Sequence, residues 1–462
     1  MGPGSMVNAM PSRRHVLSAA ALAALSLTAC GKTTTPNTAA TGGGAPGQPP
    51  GGGGPGGGST TQTTPTGAYT LTGGSATRSG TITASGKNQS GVLVTGGSLT
   101  LDNATVRTTG SSSSTDESSF YGLNAGVLAH NAGTLTIKGG AVTTSGAGAN
   151  AVFAYGSSRI SLTATTINAT GQYAHGIMAS GGGTLTATNL SVTTAGGSSA
   201  PIATDRGGGT ITVTGRTYRS TGNNSPAIYA TGTITAKSGT YTATGSEVVV
   251  VEGANTVTLT DAALTTTKAG KWGVMIYQSF SGDASGTKGT YTQTGGSLSS
   301  TATDSPLFFV TNSTGVITLT RVKVSVASGV LVKAAAAQWG TNGSNGGTVA
   351  LTANAQSLTG SVVADRISSV ALTLNNDATL HGAIDAAKIA KSTTLALDAT
   401  STWTVTADSH LTALTGASVN GSTITNVTGN GHTVSYAASN TANSYLNGKT
   451  YSLAGGGTLK PA

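Results

Sequence analysis

The chain has 462 residues, of which 8% are charged and 4% aromatic, with 70 glycines and a formal net charge of +9. Ordinary domains carry about 25% charged residues and about 7% Gly, so a single globular core of bulky side chains is excluded. A disordered chain would need high charge, and nucleic-acid binding would need Lys and Arg gathered in a stripe. Here the cations are scattered singly.

The first five residues, MGPGS, read as a cloning scar. SRRHVLSAAALAALSLTAC follows at 12–30, with Arg13 and Arg14 ahead of an apolar run at 16–27. That run is too short to cross a bilayer as a helix and fits a signal peptide occupying 1–29. The paired arginines resemble a twin-arginine export signal, with Val16 where that family often has Phe. Leu27-Thr28-Ala29-Cys30 resembles a bacterial lipobox. The resemblance implies cleavage before Cys30 and lipid on its sulfur. The protein would then be exported and held to a bacterial membrane, at the cell surface or in the periplasm. Cys30 is the single cysteine, so no disulfide is expected, and a redox or metal role would lack partners.

Residues 30–66 are Gly/Pro/Thr-rich and cannot pack a core. They predict a flexible tether with an end-to-end distance of about 35 Å.

An internal repeat then governs residues 67–440. NAGVLAHNAGTLTIKGGAVTTSG (124–146), NAVFAYGSSRISLTATTINATG (150–171) and AHGIMASGGGTLTATNLSVTTAG (174–196) align with one another and with the segments after them. A β-branched anchor recurs at Val127, Val152, Ile177, Ile202, Ile228 and Val249, at steps of 25, 25, 25, 26 and 21 residues. Each unit holds three short alternating runs separated by Gly, Ser or Asn. Three strands per unit predict one turn of a three-faced parallel β-helix whose inner face is buried only by stacking. Leu185 should then pack between Ile160 or Leu135 and Ile211. Some 14 coils at the spacing of adjacent strands predict a rod of about 65–70 Å. Almost no helix is expected; AIDAAKIAK (383–391) reads as a turn between coils, and 441–462 as a cap or tail.

The whole region 67–440 resembles the right-handed parallel β-helix repeat proteins of bacterial surfaces, adhesin-like lipoproteins among them. STWTVTADSHLTALTGASVNGSTITNV (401–427) resembles the terminal coils of pertactin-like autotransporter passengers, through Trp403, Val405, Ser409, Leu411 and Leu414. No membrane-barrel segment follows before Ala462, so the resemblance places anchoring on Cys30.

The fold also hosts pectin-cleaving enzymes. Hydrolysis of that kind needs paired carboxylates, yet the 14 acidic residues are scattered, and the six His show no metal spacing. No catalytic residue and no cofactor are expected; no motif calls for calcium, and the acid-bearing loop leaves it open. Ligand-binding candidates come from one column. Three residues after each anchor stand His130, Tyr155, Ser180, Asp205, Thr231 and Glu252. These should stack along one edge as a shallow groove for an extended glycan, with Tyr155 stacking on a sugar ring and Asp205 and Arg206 fixing hydroxyls. Polar corner positions of any β-helix would look the same. A long insertion, SSSSTDESSFYGLN (111–124), adds Asp116, Glu117, Phe120 and Tyr121 on a protruding loop. A second aromatic group comprises Trp272, Tyr277, Phe280 and Trp339, best read as packing.

The expected function is therefore adhesion or glycan binding by a lipid-anchored rod, with an extracellular glycan or surface protein as partner. The alternatives are a polysaccharide lyase or hydrolase of this fold, a passive spacer, and an ice-binding surface built on the Thr-x-Thr runs at 184–188, 210–214 and 256–260, which Arg159 and Lys237 interrupt.

Overall fold

The computed structural model describes residues 62–281 and 284–462. The signal segment, Cys30 and the tether as far as 61 lie outside the described residues.

The chain winds into an all-β parallel solenoid of about 16 turns, about 25 residues per turn. The first turn holds β1 (Thr66–Leu71), β2 (Ser75–Arg78) and β3 (Thr81–Ala84). Each begins a sheet that runs along the rod, of 12, 14 and 10 strands respectively, ending at Ser361–Ala364, Ala413–Thr415 and Lys323–Val326. A fourth, nine-stranded sheet starts at Ser357–Thr359 and carries the last turns. Turn-to-turn pairing is parallel throughout this body, as it must be when every coil runs in the same sense.

The register follows the repeat. Val127 pairs with Val152, Val152 with Ile177, and the line continues through Ile202, Ile228 and Val249. Leu185 stands between Ile160 and Ile211 in the second sheet. Inward residues of this kind form one continuous apolar tube. At the Trp403 end, Nε1 of Trp403 donates to the Gly382 carbonyl at 2.8 Å, and Ser409 Oγ accepts from Ile384 N at 3.1 Å. Those residues hold the last turns together. After them a 3-10 helix (Thr441–Leu446) and an antiparallel pair, Tyr451–Ala454 with Thr458–Pro461, bury Leu446 and Leu459 against the tube.

Glycine fixes one corner. Where the third sheet turns into the first, Gly110, Gly146, Gly171, Gly196, Gly222 and Gly245 stack one per turn. A Cβ on any of them would overlap the carbonyl oxygen of the glycine one turn before it, Gly86 in the case of Gly110. The requirement is close approach of backbone along the axis.

Two features depart from the simple solenoid. The loop at 111–124 contains a helix, α1 (Thr115–Tyr121). In addition, the first sheet is buried on both faces: every residue of Val127–His130 and Ile177–Ser180 is buried, whereas strands of the other sheets alternate. Its outward side chains Leu128, Phe153, Met178, Tyr229, Met275 and Phe309 make a second apolar cluster with Trp339. Trp272 stacks on Phe309 at 4.1 Å and Trp339 meets the Tyr277 ring at 4.8 Å, so these aromatics cover the sheet. Phe280 stays 72% exposed.

Candidate ligand-binding surfaces

The expected column forms, but it is not an open groove. Tyr155 pairs in register with His130 on one side and Ser180 on the other. Asp205 is only 1% exposed and Glu252 fully buried. The reason is the cover over the first sheet, which spacing could not reveal.

The cover begins with α1. Ser114 caps it, its Oγ accepting from Glu117 N at 3.1 Å. Asp116 and Glu117 lie in the first turn, where carboxylates favour the positive end of the helix. Glu117 Oε1 also accepts from Thr63 N at 3.3 Å. Gly122 ends the helix at φ 76°, packed so tightly that a Cβ there would meet Leu128 and Phe153. Ser180 Oγ donates to the Phe120 carbonyl at 2.6 Å, and the Arg206 guanidinium sits 3.8 Å above the Phe120 ring. Asp116 and Glu117, read as ligand contacts, thus have a structural employment at the helix start.

Tyr121, Tyr155 and His130 do come together. The rings of Tyr121 and Tyr155 meet edge-on at 5.4 Å, and His130 lies 4.8 Å from Tyr155. Burial lowers the His130 pKa; burial, and then the neighbouring Tyr121, raise that of Tyr155. His130 is therefore neutral near pH 7. Tyr121 and Tyr155 keep part of their surface in solvent.

Asp205 shapes a turn. Its Oδ1 accepts from Arg206 N at 2.7 Å and its carbonyl from Gly208 N at 2.9 Å. Glu252 belongs to a different cluster, two turns on. Its Oε2 accepts from Tyr229 OH at 2.5 Å and Tyr277 OH at 2.8 Å, and its Oε1 from Ser279 Oγ and from Ser281 Oγ at 3.2 Å. A carboxylate clothed by four hydroxyls ties the 278–281 segment to the first sheet. Among the described residues, no group of three His, Cys, Asp or Glu is placed to hold a metal ion.

The open surface lies elsewhere, beside the glycine corner. Gln172, Tyr173, Ser198, Asn223 and Asn224, from three successive turns, line a trough of about 460 Å³. Tyr173, Ser198 and Asn224 all take left-handed backbone conformations, with φ 54°, 52° and 53°. That geometry lifts the side chains off the tight corner. Each turn contributes equivalent positions about 4.8 Å further on. The Gln and Asn amides in this trough carried no periodic signal beyond a polar corner. The signal that marks it is their position directly after the stacked glycines.

Compared with known proteins, the chain matches no family model, no curated protein and no solved structure.

Proposed function

We propose that this protein is an exported, lipid-anchored rod of adhesin-like type that binds extracellular glycan without cleaving it, held to its membrane through Cys30. The observation that carries the reading is the corner trough. It combines a part-exposed aromatic, Tyr173, with amide side chains at Gln172 and Asn223. An aromatic face covers the C–H face of a sugar ring, and amides offer donor and acceptor together to neighbouring hydroxyls. Repetition along the axis suits a polymer lying parallel to the rod. Tyr121 and Tyr155 provide a second aromatic contact on the adjoining face.

A glycan array probed with the purified protein, with and without Ca²⁺, tests the reading. Saturable binding to one sugar class, lost in Tyr173→Ala, is the expected result. A blank array under both conditions overturns it, and loss of the spotted sugar itself would move the reading to a lyase or hydrolase.

One observation favours a second reading. On the outer face of the second sheet, the central column is threonine in every turn from Thr77 to Thr373 except at Ser161. This is a regular lattice of hydroxyl and methyl groups, about 4.8 Å between strands and about 7 Å along them. Such a lattice matches an ordered surface such as ice. Thermal hysteresis that disappears in Thr212→Tyr would establish that reading; none in the unaltered protein removes it.

A further inference from the structure

Lysine is almost never fully buried unless paired, and Lys271 is 4% exposed. Its Nζ donates to Asn224 Oδ1 at 2.9 Å and lies 3.7 Å from Glu247 Oε1. Glu247 is 2% exposed. The three residues come from three successive turns at the glycine corner: Asn224 before the strand Ile228–Ala230, Glu247 before Val249–Glu252, and Lys271 before Val274–Tyr277. The Lys271 side chain spans the middle turn to reach the first. Ser246 Oγ donates to the other oxygen of Glu247, Oε2. Glu247 Oε1 accepts no hydrogen bond, and its lone pairs face the amine. The neighbouring Ser225 Oγ bonds to Gly196 O at 2.8 Å and accepts from Ser199 N at 3.0 Å, which fixes the backbone carrying the Asn224 amide.

A buried amine and carboxylate, held against a part-buried carboxamide, are the parts of a self-catalysed acyl transfer. We propose that Lys271 and Asn224 join in an intramolecular isopeptide bond, with Glu247 as the proton-transfer group. The reaction balances within these three residues. The ammonium of Lys271 passes one proton to Glu247 Oε1, which converts a costly buried ion pair into a neutral pair. The free amine then attacks Cγ of Asn224. The protonated Glu247, 3.7 Å from the attacking nitrogen, serves as the general acid as the oxyanion develops. The new Nζ–Cγ bond forms, the Cγ–Nδ2 bond breaks, and Nδ2 leaves as ammonia carrying a proton from the attacking nitrogen. Ammonia then takes the proton held by Glu247 and departs as ammonium, which restores the carboxylate. No oxidant, metal or outside nucleophile enters.

The bond would clamp the first of these turns to the third along the rod axis. Asn224 and Lys271 are 47 residues apart in sequence. A cross-link across that length restricts the unfolded chain as a disulfide does, in a chain whose single cysteine, at position 30, lies ahead of the rod.

Tryptic peptide mapping of the full protein decides the matter, because it reads the bond directly. Lys271 in an amide escapes trypsin. The expected product is a branched peptide joining 220–237 to 269–288, one ammonia lighter than the two chains together. Glu247→Gln should return the linear peptides at their full masses. Finding only linear peptides in the unaltered protein overturns the proposal, and so does an ammonia loss confined to 220–237 alone, the mark of a cyclised Asn224. A cross-link that persists in Glu247→Gln overturns the assignment of Glu247.

Discussion

His175 Nδ1 accepts a hydrogen bond from the backbone N–H of Ala200, one turn along the rod, at 2.9 Å. An acceptor nitrogen carries no proton, so the fold requires neutral imidazole at this ring. Burial drives the His175 pKa down to about 4, against an ordinary value of 6.5. The unfolded chain therefore binds a proton that the folded chain refuses. Stability from this group is complete above about pH 6.5, falls as pH drops towards 4, and is level below that. The loss amounts to about 3 kcal/mol. Urea unfolding from pH 7 to pH 4 should show it, and His175→Asn, which keeps an acceptor but does not titrate, should flatten the slope.

The glycine ladder makes a sharp contrast between neighbours. A Cβ at Gly196 overlaps the Gly171 carbonyl, while a Cβ at Gly197 meets only the Asn223 carbonyl at 3.6 Å. Gly196→Ala should cost about 3 kcal/mol or more, as backbone clashes in a packed core do, and Gly197→Ala under about 1 kcal/mol. Denaturation midpoints of the two variants check the pair.

Glu252 should resist replacement despite its distance from any open surface. Glu252→Ala leaves the hydroxyls of Tyr229, Tyr277 and Ser279 without their shared acceptor in a buried setting. A loss of about 3 kcal/mol is expected. Limited proteolysis should then cut first near 278–281, the segment those bonds tie down.

The cap of α1 gives a local prediction. Ser114→Ala removes the acceptor for Glu117 N and should cost about 1 kcal/mol. Because α1 is tied to the first sheet through the Phe120 carbonyl and ends at Gly122 against Leu128 and Phe153, hydrogen exchange should quicken at 115–122 while the second sheet keeps its protection. Uniform quickening along the rod would show that α1 is integral to the solenoid rather than a cover added to it.

The trough and the Asn224–Glu247–Lys271 trio were beyond sequence reading for different reasons. Gln172 and Tyr173 look like any polar corner until the glycine stack shows which corner they crown. Asn224, Glu247 and Lys271 occupy non-equivalent positions of three repeats, and only the reach of a lysine side chain over one turn brings them together. Ser114-x-x-Glu117 and Gly122, by contrast, are a legible helix signature, and they identify α1 inside what reads as a polar loop.

The sequence by itself determined the solenoid. Stacking repeats can bury their alternating residues in one way only, so the period from Val127 to Val249 sets strand, register and core at once. Tertiary structure alone decided which surfaces remain in solvent. Whether the first sheet's outer column faces water depends on where α1 and the 278–281 segment fold back. Those returns rest on individual side-chain contacts such as Ser180 and Arg206 with Phe120, and Ser279 and Ser281 with Glu252, which follow no period.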